Sequence, residues 1–402
     1  MYRPRWMTDR LKLSDHVFPV LALTGARQTG KSTLLSNEPM FADYLHINLD
    51  DLTTMTQAHE DPRGFVNQAD HMVIDEAQRV PDLFISVKKA VDDDRSRRFV
   101  LSGSANFLLL RQIHESLAGR AGYSVLRQPT WSEWHGGGKP SWLLDLLNGT
   151  LPPEQDTFVA PDIKTVLFTG CLPGIRDSTP AQAALFWESY IQTYIERDLP
   201  GISAVASTID YRSVMHMIAI TTGSLLEYSS VASNTHVSSS TVGRYVETLR
   251  AAHLLDLVPP APLSSVESVR RNWKSYLFDS GLICSLLGKR TPDSIDDTLA
   301  GHLFEALVCT NIQALADLDS FSIWFVRTRR GPLHEVDFVV ERDRKKTAIE
   351  VKLSDHVTWS DTEHLRWYIG QEPTCPAAAV IYTGTRVLHL ARNIVAVPWT
   401  ML

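Results

Sequence analysis

The chain holds 402 residues, 44% apolar and 21% charged, an ordinary globular composition that excludes a mainly disordered chain and has room for two or three domains of ~150 residues. Thirty-nine basic against 46 acidic residues give a net charge of −7, which excludes a basic nucleic-acid coat, so any nucleic-acid contact has to come from a local patch. The scattered Cys171, Cys284, Cys309 and Cys375 contain no C-x-x-C pair, and neither a signal peptide nor an apolar run of ~18 residues is visible, so reduced thiols in a cytoplasmic protein with no membrane partner are expected.

The first predicted element is a buried strand, Val20-Leu-Ala-Leu-Thr24, ending in a glycine-rich turn. Apolar runs Met72-Val-Ile-Asp75 and Phe99-Val-Leu-Ser102 follow, with helical segments between them, which predicts a parallel α/β sheet. From about Gln128 to Pro180, Gly136-Gly-Gly-Lys-Pro140 and Leu151-Pro-Pro153 predict a loop-rich surface excursion. The next helix carries Phe186, Trp187, Tyr190 and Tyr194 on one stripe, which predicts core packing. Residues 203–260 read as short helices, including an N-capped one from Ser238, then a strand Leu254-Leu-Asp-Leu-Val258, the order of a winged helix. Beyond about Arg290 a new α/β region is expected, with a helix from Leu299 and strands near Ile323, Val336, Ile349 and Val380.

Gly25-Ala-Arg-Gln-Thr-Gly30-Lys31-Ser32 fits G-x-x-x-x-G-K-[ST], with the required strand before it and a helix starting at Ser32-Thr33. Such a loop curls backbone N–H groups around phosphate oxygens. Gly25, Ala26, Arg27, Gln28, Thr29, Gly30, Lys31, Ser32 and Thr33 are therefore the candidate nucleotide-binding residues. Lys31 would serve the β- and γ-phosphates and Ser32 would hold Mg²⁺. Forty-four residues beyond Lys31, Asp75 and Glu76 end an apolar strand. Asp75 would bind Mg²⁺ and Glu76 would polarise the attacking water. Ser104 and Asn106, in Leu101-Ser-Gly-Ser-Ala-Asn106, read as γ-phosphate sensors or as turn formers. Arg120, in Leu117-Ala-Gly-Arg120, reads as an arginine finger or as a surface ion pair; a finger acting in trans would require a homo-oligomer.

In this order the motifs resemble a large bacterial and archaeal group of AAA-type ATPases in which a C-terminal domain of unknown function follows the ATPase. Gly170-Cys-Leu-Pro173, Glu196-Arg-Asp198, Tyr276-Leu-Phe-Asp279-Ser-Gly281 and Glu350-Val-Lys352 also resemble that group's later motifs. The Gly-rich stretch near Gly136 departs from it.

In the last region His334-Glu-Val-Asp337-Phe-Val-Val340 and Thr347-Ala-Ile-Glu350-Val-Lys352 read as a hairpin across the charged segment Glu341 to Lys346. Pairing Val340 with Thr347 sets Asp337 opposite Glu350, Cβ atoms ~5 Å apart, with Lys352 on the same face. Facing carboxylates repel unless a cation sits between them, and hard oxygen ligands suit Mg²⁺. The pattern is similar to the PD-(D/E)XK nuclease superfamily, although Val336 stands where the strict motif has Pro. The resemblance implies Asp337, Glu350 and an extra acid, Glu305, as metal ligands, and Lys352 as the group that orients a water. The alternative is an inactive relic of that fold, or acids on a solvated strand face.

Eight basic against five acidic residues between Arg327 and Lys352 make a local basic zone, whereas the expected recognition helix offers only Arg244 and Arg250. The predicted architecture is thus an α/β chain with an AAA-type P-loop ATPase region over 1–202, a winged-helix-like region over 203–290 and a PD-(D/E)XK nuclease-like α/β region over 291–402. ATP turnover would be coupled to DNA or RNA, or the chain would be a switch acting on a protein partner.

Overall fold

The computed structural model describes residues 2–103, 117–156, 162–199, 207–261, 272–328 and 333–402. It divides into two compact units. Unit 1 comprises Met1–Pro129, Arg197–Ala204 and Glu247–Leu254; unit 2 comprises Thr130–Glu196, Val205–Val246 and Leu255–Leu402.

In unit 1, α1 (Met7–Val17) leads into β1 (Val20–Thr24), α2 (Lys31–Asn37), β2 (Leu45–Asn48), α3 (Leu52–Glu60), α4 (Pro62–Val66), β3 (His71–Asp75), α5 (Asp82–Asp93), β4 (Arg98–Ser102) and β5 (Ala121–Val125). The strands form one parallel sheet in the order β2-β3-β4-β1-β5. All five residues of β1 are buried, the pattern of a central strand covered on both faces. Alternate residues of three strands, Val20 and Ala22, Met72 and Ile74, Phe99 and Leu101, share a core with Leu83, Phe84, Val87 and Val91 of α5. Their helical spacing lays one apolar stripe on that face. β4 therefore separates the strand that feeds the glycine loop from the strand that ends in Asp75.

Unit 2 begins with α6 (Trp131–Trp134), α7 (Trp142–Leu147), α8 (Ile163–Thr169) and α9 (Pro180–Thr193). The expected surface excursion is thus a set of helices. Trp142, Leu143, Leu146, Leu167 and Phe168 are all buried; this apolar content outweighs the Gly and Pro punctuation between the helices. The aromatic stripe of α9 is core as expected, with Trp187, Tyr190 and Tyr194 buried and Trp187 donating to Thr169 O at 2.9 Å.

Three helices follow, α10 (Thr208–Ile220), α11 (Tyr228–Thr235) and α12 (Ser239–Ala251), the last of which belongs to unit 1 from Glu247 onward, then the antiparallel pair β6 (Leu255–Val258) and β7 (Lys274–Leu277). α13 (Ser280–Leu286) is capped by Asp279, whose carboxylate accepts from Gly281 N and Cys171 N at 2.8 Å each. A Cβ on Gly170 would fall 2.2 Å from that carboxylate and one on Gly281 2.1 Å from the Trp187 indole. Two of the later motifs therefore meet as one close-packed joint.

The rest of unit 2 is α14 (Asp297–Asp319), β8 (Ser322–Arg327), β9 (Glu335–Arg342), β10 (Lys345–Lys352), α15 (Glu363–Gln371), β11 (Ala377–Tyr382), β12 (Leu388–Ala391) and β13 (Ile394–Pro398). The six strands form a mixed sheet in the order β12-β13-β11-β10-β9-β8. Leu365 and Tyr368 of α15 cover the face carrying Val336, Val339, Ala348, Ala378 and Val380. α14 is long and apolar enough to cross a membrane by length and composition, where the sequence predicted no such stretch, yet 67% of its apolar window is buried within the fold, as in a core helix.

The β9–β10 hairpin has the expected register, Val340↔Thr347 and Phe338↔Ile349. The turn is only two residues, Asp343 and Arg344 at φ 52° and 65°, the doubly left-handed geometry of a type I′ hairpin. β9 does not alternate strictly. On β8, Trp324 pairs with Val339 but Val326 pairs with Val336, so Asp337 and Phe338 together oppose Phe325. This bulge brings Val336 and Val339 to one core face and re-aims Asp337.

Candidate functional site

The glycine loop of unit 1 departs from ordinary backbone at three points, Gly25 (φ 146°), Gln28 (φ 64°) and Gly30 (φ 96°). At Gly25 a Cβ would lie 2.2 Å from Leu126 O, so both the dihedral and the neighbouring strand require glycine. The buried Thr29 hydroxyl donates to Ala26 O at 3.0 Å, closing the loop on itself. Lys31 is buried, and its Nζ donates to Gly25 O and Ala26 O at 2.9 Å each. Arg27 is half-buried and Gln28 exposed; Ser32 and Thr33 lie exposed on the first turn of α2.

Asp75, at the end of β3, accepts from Ser32 Oγ at 2.5 Å through Oδ2 and from Glu76 N at 3.1 Å through Oδ1. Residues 43 apart in sequence are thus joined at the carboxyl edge of the sheet, where parallel α/β sheets bind ligands. Glu76 has left-handed backbone (φ 56°), uncommon for a non-glycine residue and concentrated at functional positions. Its carboxylate accepts a hydrogen bond from the Gln78 side-chain amide.

Sequence reasoning missed Arg5. Its guanidinium donates to Thr29 O at 3.0 Å and to Arg127 O at 2.6 Å, tying the glycine loop to the segment after β5. Nothing in the local pattern Met1-Tyr-Arg-Pro-Arg-Trp marks that role.

Ser104 and Asn106 lie outside the described residues. Arg120 is not brought to the loop within this chain. Its Nε and Nη2 form a two-pronged ion pair with Asp92 at 2.6 and 3.0 Å, which holds the Asp92 carboxyl below its usual range. Arg120 O accepts from Val20 N at the start of β1, whereas the glycine loop leaves the other end of that strand, ~16 Å away at ~3.3 Å per residue.

Unit 2 gathers the other predicted residues around a lysine that the sequence reading did not single out. Lys274, from β7, is buried, and its Nζ lies 2.9 Å from Glu335, 3.1 Å from Glu305 and 3.5 Å from Asp337. Tyr276 OH donates to Glu305 Oε1 at 2.6 Å. The β9–β10 ladder stops at Phe338↔Ile349, and Asp337 continues it with its side chain, Oδ2 accepting from Val351 N at 2.9 Å. Glu350 accepts from Lys352 Nζ at 2.9 Å through Oε1; among the described residues its buried Oε2 has no hydrogen-bond partner. Burial, reinforced by the Asp337 charge, pushes Glu305 up to about 7 and Glu350 up to about 8. For Lys352, burial favours the neutral amine, but the Glu350 and Asp337 carboxylates outweigh it and raise its pKa.

The two places differ as cation sites. In unit 1 the Ser32 hydroxyl beside the Asp75 carboxylate is the hard-oxygen pair that Mg²⁺ takes next to phosphates, so the residues fit that ion. In unit 2 an ammonium already stands among the carboxylates, and no group of three or more His, Cys, Asp or Glu among the described residues is arranged to hold a metal. Of the expected metal ligands, Glu305 and Asp337 face Lys274, and Glu350 pairs with Lys352.

Residues 17–134 match the family model of an AAA domain. This region has an AAA-type, ATPase-like fold. Residues 160–293 and 300–402 match two domains of unknown function, DUF8612 and DUF4143. Uncharacterised proteins of Mycobacterium bovis and Mycobacterium tuberculosis are each 28% identical over 398 residues, covering 97% of this chain and 82% of theirs. Among solved structures, the Walker-type ATPase PABY2304 of Pyrococcus abyssi aligns at 15% identity and a TM-score of 0.45, covering 71% of this chain and 96% of its own. A STAND signal-transduction ATPase of Pyrococcus horikoshii aligns at 8% and 0.23, covering 80% and 50%.

Proposed function

We propose that the chain is an Mg²⁺-dependent ATPase, and that the AAA-type region binds ATP at Gly25–Thr33. The observation that carries this reading is the Ser32–Asp75 contact at 2.5 Å beside the glycine loop and Lys31. The loop's N–H groups and the Lys31 ammonium would bind the phosphate tail and stabilise charge as the γ-phosphoryl transfers to water. Ser32 and Asp75 would hold Mg²⁺, which supplies charge neutralisation on the phosphates when bound. Glu76, its carboxylate held by Gln78, would accept the water's proton. Purified chain should hydrolyse ATP with Mg²⁺, Lys31→Ala should lose ATP binding in calorimetry, and Glu76→Gln should bind ATP without turning it over. Unchanged ATP affinity in Lys31→Ala would overturn the assignment.

For unit 2 the reading is a winged-helix-like stretch, supported by the α10–α11–α12 and β6–β7 order, and a PD-(D/E)XK-like sheet. One route couples ATP turnover to gripping or cutting DNA or RNA. The other is an ATP-driven switch on a protein partner with a nuclease-like region that does not cut. The Lys274 ammonium among the carboxylates favours the second. Mg²⁺-dependent cleavage of DNA or RNA that disappears in Asp337→Asn would restore the first.

A further inference from the structure

The carboxylates of unit 2 come from separate elements, Glu305 from α14 and Glu335 and Asp337 from β9, and all three point at one Nζ. An ammonium has three N–H donors and no acceptor capacity, so three acceptors at 2.9, 3.1 and 3.5 Å match its full complement. The lysine is held from its backbone as well as its head. Lys274 pairs with Val258 on β6 and bridges Leu225 on the other side. Gly223 N donates to Ser275 O at 2.8 Å, Ser275 N to Ser224 O at 3.1 Å, and Leu226 N to Trp273 O at 2.8 Å. Tyr276, two residues on and therefore on the same face of β7, donates to Glu305. The Phe325 ring lies 5.7 Å from Nζ, a cation–π contact that also favours charge there.

Buried carboxylates need a counter-charge, and a divalent ion would need the same oxygens at ~2.0–2.1 Å for Mg²⁺. Nζ already stands 2.9–3.5 Å from all three carboxylates, so a divalent ion would have to take the place the ammonium fills. We propose that Lys274 is the resident cation of this cluster and excludes divalent metal from it, so that Glu305, Glu335 and Asp337 work as a charge-locked brace joining β7, α14 and β9. The nuclease-like reading enters only in naming a metal as the competing occupant.

The test is Mn²⁺ binding, followed by electron paramagnetic resonance on the full chain carrying Asp75→Asn, which removes the metal ligand of the nucleotide site. This parent should bind no Mn²⁺ at the cluster. Adding Lys274→Met should create one Mn²⁺ site at least tenfold tighter than anything in the parent, and further adding Asp337→Asn should remove it. Mn²⁺ should also raise the melting temperature of the Lys274→Met chain and leave the parent's unchanged. A parent that binds one Mn²⁺ and loses it on Asp337→Asn overturns the proposal. So does a folded Lys274→Met chain that gains no Mn²⁺. Should Lys274→Met fail to fold, the parent with and without Asp337→Asn decides alone: Mn²⁺ absent from both supports the proposal, and Asp337-dependent Mn²⁺ rejects it. ATP hydrolysis by the native chain is a separate readout, whose absence would sink the ATPase reading and leave this one standing.

Discussion

Each unit places a lysine near acids at a strand end, and the two lysines do different things. Lys31 donates to loop carbonyls, and Asp75 accepts from a hydroxyl and a backbone N–H. Lys274 bonds directly to the acids, 3 Å or so from three of them. In the first case cation and acid are each held by neutral groups of the chain, a hydroxyl, a backbone N–H and carbonyls, at a loop that can meet an outside charge such as a phosphate with its metal. In the second one ammonium sits directly among the acids and offsets part of their charge within the fold. The chemistry open to an acid cluster is decided by its nearest cation as much as by the acids.

The largest expected effects separate the two lysines. Lys31→Ala should abolish measurable ATP binding while shifting the melting temperature little, because its carbonyl partners can turn to water. Lys274→Met should do the reverse. ATP turnover should persist, while stability falls by about 3–5 kcal/mol, the usual cost of breaking a buried ion pair and leaving uncompensated charge, read from urea unfolding. If Lys274→Met costs nothing, the brace is not one.

Next in size is the contrast between acids. Glu76→Gln should lower the ATP turnover number by about 10²–10³-fold with binding retained, the scale of a lost general base. Glu350→Gln should leave ATP turnover unchanged, since Glu350 belongs to unit 2 and pairs with Lys352. Single-turnover hydrolysis separates the two variants, and equal losses would erase the distinction drawn between the sites.

A third acid sharpens the point because, among the described residues, no lysine is bonded to it. Asp279 is buried and held by backbone N–H groups of Cys171 and Gly281, yet burial still pushes its pKa up to about 7 against those hydrogen bonds. The native chain therefore binds this proton more tightly than the unfolded chain, whose carboxyl titrates near 3.8. The stabilisation is complete below that value and is lost as pH rises to about 7. Asp279→Asn should flatten this fall in melting temperature between about pH 4 and 7. An unchanged slope would mean that backbone donors alone suffice to keep a buried carboxylate charged.

What the sequence disclosed follows the range of the chemistry. The glycine loop was legible because Gly25 to Ser32 are consecutive, and β1, β3 and β4 because a doubly covered strand is an unbroken apolar run. The β9–β10 register was legible because a short charged turn fixes it. Lys274 was not, since it stands 31 residues before Glu305 and 63 before Asp337 and only the sheet and helix packing of unit 2 brings them together. The β9 bulge was hidden because period-two patterning assumes equal residue counts on paired strands. Arg5 was hidden because a guanidinium that bonds to carbonyls needs no particular partner residue type.

The smallest expected effect concerns Arg120, and it tests whether unit 1 keeps a charge for use in trans. Arg120 is paired with Asp92 at the edge of the sheet opposite the glycine loop, so in a single chain Arg120→Ala removes an exposed ion pair and an exposed hydrogen bond to Ala118 O. Such pairs contribute little, and the melting temperature should move by no more than about 2 °C. If the chain works alone, ATP turnover should be unchanged as well. If turnover collapses, the Asp92 pair must open to deliver the guanidinium to a neighbouring chain. Mixing Arg120→Ala with Lys31→Ala protein should then restore part of the activity, because each supplies what the other lacks. Arg120 would in that case join Lys31 as a charge held ready for an outside partner, in contrast to Lys274.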